Sequence, residues 1–443
     1  MLVSIVADFQ NKQEREVDRY EAWIFSLLRL RESFNQNANL AIEQLESFLE
    51  RLPQEQRSLA LQDLIAEHLN LTWQTHAGEK LESYLEIYRS SYSELQAPHG
   101  VPASLVEDEF LARYQTEHGD HPRLEEYLQR FPDRKDIQAT LKSRLLDHGQ
   151  YVKLQVIGRG AMGTVWRAYD HRAQTTIAVK EAANSTSLKE LQQETQITRS
   201  LHHANIITLK ELPQDKLAAP AIYGMPYIVG NSLAREIDRH HNPAIPFSKA
   251  DQRQSLNRLT QSMIEVSDAL QHAHQQGILH RDIKPGNIIL RESGQATIID
   301  WGMAIRKTKE TSNPKPAAII AGTPEYMAPE QSNGTALAQS DVFALGSTLY
   351  QILSNQPPRN WQQTSPPANW IQQVEKQPIA PTKNLPPHTP RKLMRICMKA
   401  LAHSIEQRYP SPKQFSLALK AYLDEQKTPW WHPLFHKFRR TPR

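Results

Sequence analysis

The chain has 443 residues, enough for more than one hydrophobic core, and its 39% hydrophobic and 23% charged residues mark it as globular. Lys+Arg 52 against Asp+Glu 48 leaves a formal charge of +4, too even a balance to argue for nucleic acid as a partner. The single cysteine, Cys397, lies in an apolar helical run with Leu393, Ile396 and Leu401, which predicts a buried, inert thiol and suits a reducing cytoplasm.

Asp8 and the charged run Lys12, Glu14, Arg15 and Glu16 precede any apolar stretch of signal-peptide length, and no segment reaches transmembrane length. Neither an export signal nor a membrane span is expected. From Asp18 to about Leu146 apolar residues recur three and four apart among Glu, Gln, Arg and Lys, so residues 1–146 read as an all-α region. An internal repeat runs through it. Leu45-Glu-Ser-Phe-Leu49 matches Leu81-Glu-Ser-Tyr-Leu85 and Leu124-Glu-Glu-Tyr-Leu128, with Tyr88 and Phe131 extending the apolar stripe of the second and third copies. Upstream, Trp73-Gln-Thr-His-Ala-Gly78 answers Tyr114-Gln-Thr-Glu-His-Gly119, which predicts three units of helix, glycine-bearing turn and helix. The plain expectation for the aromatics is a bundle core, while the array as a whole would offer a surface to a protein partner. A break at Ala97-Pro-His-Gly-Val-Pro102 separates the second hairpin from the third, and Asp147–Gln150 is too short a tether for free tumbling.

At Tyr151 the texture changes to strand-like runs, Tyr151–Ile157 and Thr175–Val179, with helical periodicity returning after Ser187. Strands followed by helices predict an α+β fold of two lobes, a small β-rich one and a large helical one, over residues 151–424. Between the first two strand-like runs lie Gly158, Arg159, Gly160, Ala161, Met162, Gly163, Thr164 and Val165. Glycines at this spacing let backbone amides approach phosphates, but dinucleotide folds and ordinary turns share it. A dinucleotide site needs a helix next, whereas Thr164–Ala168 reads as another strand leading to Ile177-Ala-Val-Lys180.

A lysine ending an apolar strand is costly unpaired, so Lys180 needs anionic partners such as nucleotide phosphates and a carboxylate. Glu194, in the predicted helix Leu188–Leu201, is the first choice and Glu190 the second; either could instead be a solvated helix carboxylate. After an amphipathic helix from Met263 to His274 comes His280-Arg-Asp282-Ile-Lys284-Pro-Gly-Asn287. Phosphoryl transfer needs a carboxylate near the attacking hydroxyl, a cation to neutralise the moving group and an oxygen ligand for magnesium, which Asp282, Lys284 and Asn287 can supply. Beyond the strand-like Ala296–Ile299, Asp300-Trp-Gly302 offers a second metal carboxylate.

Gly322-Thr-Pro-Glu-Tyr-Met-Ala328-Pro-Glu330, Ser340-Asp341-Val-Phe-Ala-Leu-Gly346 and Gln407-Arg408-Tyr409 complete the series. In this order the motifs resemble the Hanks-type, eukaryotic-like serine/threonine protein kinases, particularly bacterial members. The resemblance implies a two-lobed kinase fold, ATP with Mg2+ or Mn2+ as cofactors, and protein substrates with Ser or Thr acceptors. It makes Asp282, Lys284, Lys180 and Glu194 catalytic and Asn287 and Asp300 metal ligands. ATP would be bound by Ile157 to Val165, Lys180, and the Met225, Tyr227 and Ile228 of a hinge that includes Pro226. Glu330 and Arg408 would form a structural ion pair, and Asp341 would brace the catalytic loop. Lys284 and Thr323 resemble Ser/Thr-specific rather than Tyr-specific members.

Two positions depart from the family pattern: Trp301 stands where phenylalanine is usual, and Ala204 where proline is common. Trp301 leaves the metal carboxylate intact but bears on the balance of active and inactive arrangements, so an ATP-binding scaffold is the competing expectation. A small-molecule phosphotransferase of kinase-like fold is a third, opposed by Ala328-Pro-Glu330 and Asp341. Arg281 could pair with a phosphate placed on Thr308, Thr311, Ser312 or Thr323, which predicts autophosphorylation, although Thr323 is better suited to substrate positioning. In the tail, residues 425–443, Trp430, Trp431 and Phe435 among basic residues suit a peripheral membrane contact or packing on the large lobe.

Overall fold

The computed structural model describes residues 54–75, 78–87, 100–114, 121–160, 162–210, 222–246, 248–307, 322–359, 369–376, 379, 385–386 and 389–427. The motif copy at Leu45–Leu49, Tyr88, Gly119, Ala161, the acceptor candidates Thr308, Thr311 and Ser312, and the tail from 428 lie outside them. Two compact units emerge, one from residues 1–155 with 168–175, the other from 156–167 with 176–443.

In the first unit a long helix α1 (Gln54–Thr75) precedes a short α2 (Leu81–Ile87), and α3 (Ala103–Arg113) precedes a short α4 (Leu124–Arg130) and α5 (Lys135–Ser143). The two Leu-Glu-x-Tyr segments open α2 and α4. Trp73, near the end of α1, donates to the Glu79 carbonyl (3.2 Å), and Tyr114, capping α3, donates to the Pro122 carbonyl. Leu61, Ile65, Leu69, Leu81, Tyr84, Phe110 and Tyr127 form the core, as the helical period predicts.

The same core takes in Val152 and Tyr169, residues of strands rather than helices. Expected as the helical end of its region, Leu145–Leu146 is instead a strand, β1, whose Leu145 pairs antiparallel with Val152 of β2 (Tyr151–Gly160). Asp147 at φ 49 and Gly149 at φ 91 turn the chain between them, and Leu145 packs, partly buried, against the helical core. Tyr169 is the last residue but one of β3 (Gly163–Asp170), with ring centroids of Tyr114 at 5.3 Å and His121 at 4.0 Å.

Strands β1, β2, β3, β4 (Thr175–Ala182) and β5 (Ile222–Pro226) follow one another across a five-stranded sheet. Within the second unit, helix α6 (Ser185–Ser200) starts ahead of the expected Leu188 because Asn184 caps it, accepting from the Thr186 and Ser187 amides at 3.0 Å each. The remainder is mainly helical: α7 (Leu233–His241), α8 (Lys249–Gln275), α9 (Ala338–Ser354), α10 (Trp370–Lys376), α11 (Arg391–Ala400) and α12 (Pro412–Lys427). The Met263–His274 segment is only the C-terminal half of α8, which begins at a Ser248–Asp251 capping box. Small strands β6 (Gly230–Ser232), β8 (Ile288–Arg291) and β9 (Ala296–Ile298) form one sheet, and β7 (Ile278–Leu279) and β10 (Ile305–Arg306) another. Among the described residues no helix is long and apolar enough to cross a membrane.

Candidate active site

All the geometry of the predicted site lies within the second unit. Gly158 and Gly160 end β2 and Gly163 opens β3; at Gly163 (φ +151) a Cβ would stand 2.0 Å from the Glu181 carbonyl oxygen, so only glycine fits there. Ile157, Arg159 and Gly160 are exposed, Thr164 and Val165 half-buried, and Met162 reaches across to Gly302. In the ladder of β4 with β5, Ala178 faces Met225 and Lys180 faces Tyr223; Met225 and Ile228 are buried and Tyr227 is exposed at the end of that edge.

Lys180 Nζ meets Glu194 Oε2 at 2.7 Å and Asp300 Oδ1 at 3.5 Å. Burial disfavours the ammonium charge, but the Asp300 and Glu194 carboxylates outweigh it and hold the pKa above the ordinary lysine value. Tyr223 donates to the other oxygen of Glu194 at 2.5 Å. Sequence reasoning missed this tyrosine, although it lies two places before Met225 in a strand and so shares its face. Glu190, the second choice for the lysine, is exposed.

Asp282 and Asn287 lie in the loop before β8, where the Asn287 amide donates to the Asp282 carbonyl (2.8 Å) and carboxylate (3.1 Å). The other Asp282 oxygen accepts from both the backbone amide and the hydroxyl of Thr323, each at 2.7 Å. Lys284 Nζ donates to the same hydroxyl (2.6 Å) and pairs with Asp282 at 2.9 Å. A hydroxyl thus sits between a carboxylate and an ammonium, the environment a phosphoryl acceptor requires. Asp300 keeps its pKa below the usual carboxylate value, since burial is outweighed by Lys180 and by the Gly302 amide.

Behind this loop Asp341 is fully buried and accepts from the backbone amides of His280 (2.9 Å) and Arg281 (2.8 Å) and from His274 (2.7 Å). Arg281 is held at φ 69, a left-handed conformation uncommon for its type, which these bonds stabilise. Gly322 (φ +122) passes close by: a Cβ there would stand 2.7 Å from the Arg281 carbonyl oxygen. The Arg281 side chain donates to the Met303 carbonyl at 2.7 Å. His274 was not anticipated; only its position at the end of α8 pointed to it. Trp301 is 1% exposed and its ring centroid lies 4.6 Å from that of His280, its Nε1 without a hydrogen-bond partner among the described residues. Glu330 and Arg408 form a bidentate pair at 2.7 and 2.9 Å.

A protein kinase domain model matches residues 151–416. The chain is 32% identical over 287 residues to a probable serine/threonine-protein kinase of Streptomyces coelicolor, covering 63% of this chain and 40% of that one. It is 31% identical over 308 residues to the serine/threonine-protein kinase PknD of Chlamydia felis (64% and 32%) and 29% over 294 to the probable serine/threonine-protein kinase PknB of Bifidobacterium longum (65% and 41%). The chain thus spans well under half the length of these relatives. With the match extending over most of its length, the chain belongs to the protein kinase domain family.

Proposed function

We propose that the chain is an ATP-dependent serine/threonine protein kinase of bacterial signalling, transferring the γ-phosphoryl group of Mg-ATP to Ser or Thr hydroxyls of proteins. The observation that carries this reading is the Thr323 hydroxyl held between Asp282 and Lys284, which supports a site built to orient a hydroxyl. Asp282 would accept the proton of the attacking hydroxyl, and Lys284 would offset negative charge gathering on the transferred group. Lys180, kept charged by Glu194 and Asp300, would hold the nucleotide phosphates, and the glycine-rich turn would cover them.

The donor set fits Mg2+. Asp300 and Asn287 offer hard oxygens, and among the described residues no group of three His, Cys, Asp or Glu is placed to hold a metal unaided. Bound through these two residues, the ion would supply charge neutralisation at the phosphates. Incubation with γ-labelled ATP and a panel of acidic and basic carrier proteins tests the reading: label should reach serine or threonine of at least one carrier. ATP binding without transfer would favour the scaffold reading, for which the misfit Trp301 Nε1 speaks.

The same reading takes Thr308, Thr311, Ser312 and Thr323 as candidates for autophosphorylation, with Arg281 as the group that would pair with the phosphate and Thr323 the better fitted to substrate positioning, checked by mass spectrometry after incubation with ATP. It takes the helical region as tandem hairpins that dock a protein partner, on the likeness of the α1–α2 and α3–α4 segments. A cytoplasmic location accords with the buried Cys397 thiol. A membrane contact of the tail is decided by liposome flotation with and without residues 428–443.

A further inference from the structure

Beneath the end of the segment that carries Thr323 lie two guanidinium groups on opposite accounts of charge. Arg408 has Glu330. Arg359, 7% exposed, has no carboxylate within ion-pair distance among the described residues. It donates instead to two backbone carbonyls, Met327 at 2.7 Å and Val374 of α10 at 3.3 Å, and its Nε has no partner among the described residues. Both guanidinium groups stack on the Phe343 ring, Arg408 at 4.9 Å and Arg359 at 5.5 Å, so one carboxylate serves two cations. Burial and the Arg408 charge pull the Arg359 pKa down to about 10.

A buried cation without a counter-charge is expensive, and a fold that needed only packing there would use an apolar side chain. Its contacts show what it holds. Thr323 to Met327 forms a tight turn, with the Tyr326 amide bonded to the Thr323 carbonyl (3.0 Å) and the Met327 amide to the Pro324 carbonyl (3.4 Å). One end of that turn is fixed on Asp282 and Lys284, and the other on Arg359. The turn is therefore the wall next to the place where an acceptor hydroxyl must arrive; behind it the two guanidinium charges of Arg359 and Arg408 exceed the one carboxylate of Glu330, while the turn itself carries the half-buried Glu325.

We propose that Arg359 is a positioning residue for the protein acceptor, fixing this wall and making the groove favour segments with Asp or Glu beside the accepted Ser or Thr. The proposal rests on the kinase reading above and names the substrate class that reading leaves open.

The test uses the full chain, wild type, Arg359→Lys and Arg359→Met, with Ser and Thr peptides flanked by Asp, Asn or Lys. Wild type should show a KM for the Asp peptides about tenfold below that for the Lys peptides, a preference of the size one unit charge can exert across the turn in a medium of reduced dielectric. Arg359→Met should flatten the series and raise the KM for the Asp peptides about tenfold with the KM for ATP unchanged, and Arg359→Lys should keep the preference. Hydrogen exchange over residues 322–331 reads the wall without any transfer: Arg359→Met should lose protection at Thr323 and Met327 relative to wild type. Equal protection and equal peptide KM values in Arg359→Met overturn the proposal, as does a wild type that prefers Lys peptides. A wild type that labels no peptide overturns the kinase reading instead, and the exchange comparison still decides whether Arg359 holds the wall.

Discussion

Lys180 Nζ and Glu194 Oε2 stand 2.7 Å apart between β4 and α6, with the Tyr223 hydroxyl closing the pair from the far side of the carboxylate. Replacing Lys180 by Met should lower the transfer rate by about a thousandfold, and Glu194→Gln by about a hundredfold, as expected for loss of preorganised charge. Tyr223→Phe should cost less than either. Initial-rate measurements check the order, and a Glu194→Gln rate equal to wild type would show that the pair has no part in transfer.

Arg408 is buried and Glu330 partly so, and Arg408 also donates to the Ala402 (2.7 Å) and His403 (3.0 Å) carbonyls. Arg408→Met leaves the Glu330 carboxylate with the Ser340 hydroxyl as its remaining side-chain hydrogen bond among the described residues, Arg359 being beyond ion-pair distance, and should destabilise the fold by about 3–5 kcal/mol in urea unfolding. Adding Glu330→Gln should restore part of that loss. A single variant as stable as wild type would mean that Glu330 reaches water.

Tyr169 belongs to a kinase strand yet is buried in the helical core, flanked by Tyr114, His121 and His171. Tyr169→Ala should cost about 3–5 kcal/mol, the usual loss for an aromatic core truncation. Urea unfolding that shows a loss below about 1 kcal/mol would remove Tyr169 from that core.

Asp108 of α3 has its pKa raised to about 7 by burial, with Glu107 and Asp63 adding to the effect. Since its folded pKa lies above the ordinary carboxylate value, the fold favours the protonated form, and stability is lost as pH rises from about 4 through 7. Asp108→Asn should therefore raise the urea midpoint at pH 8, by about 2 kcal/mol of stability, and leave it nearly unchanged at pH 4. Equal midpoints at pH 8 would contradict this.

Much of the site was legible because its chemistry is written in local order. The run from His280 to Asn287 and Asp300-Trp-Gly302 need little more than a turn and a strand to become a site. Glu194 stands out because its helix and the turn after it resemble the family pattern; periodicity does not separate it from Glu190, one turn earlier on the same face, and only the fold leaves Glu190 exposed. What stayed hidden depends on distant chain. Nothing around Pro357-Pro-Arg359 tells that its guanidinium is buried under Met327, and no periodicity reveals that His274 will meet Asp341, 67 residues away. The strand at Leu145–Leu146 was missed because two residues carry no period, and its partner at Tyr151–Val152 is what makes it a strand.

The central claim is that Asp282 and its neighbours move a phosphoryl group to a protein hydroxyl. The most direct measurement is label transfer from γ-labelled ATP by wild type and by Asp282→Asn, with nucleotide binding followed in both. The account predicts labelled serine or threonine with wild type, a loss of at least about a thousandfold in the variant, and ATP binding in each. Transfer by Asp282→Asn at the wild-type rate, or ATP binding by wild type with no transfer to any carrier, would contradict it.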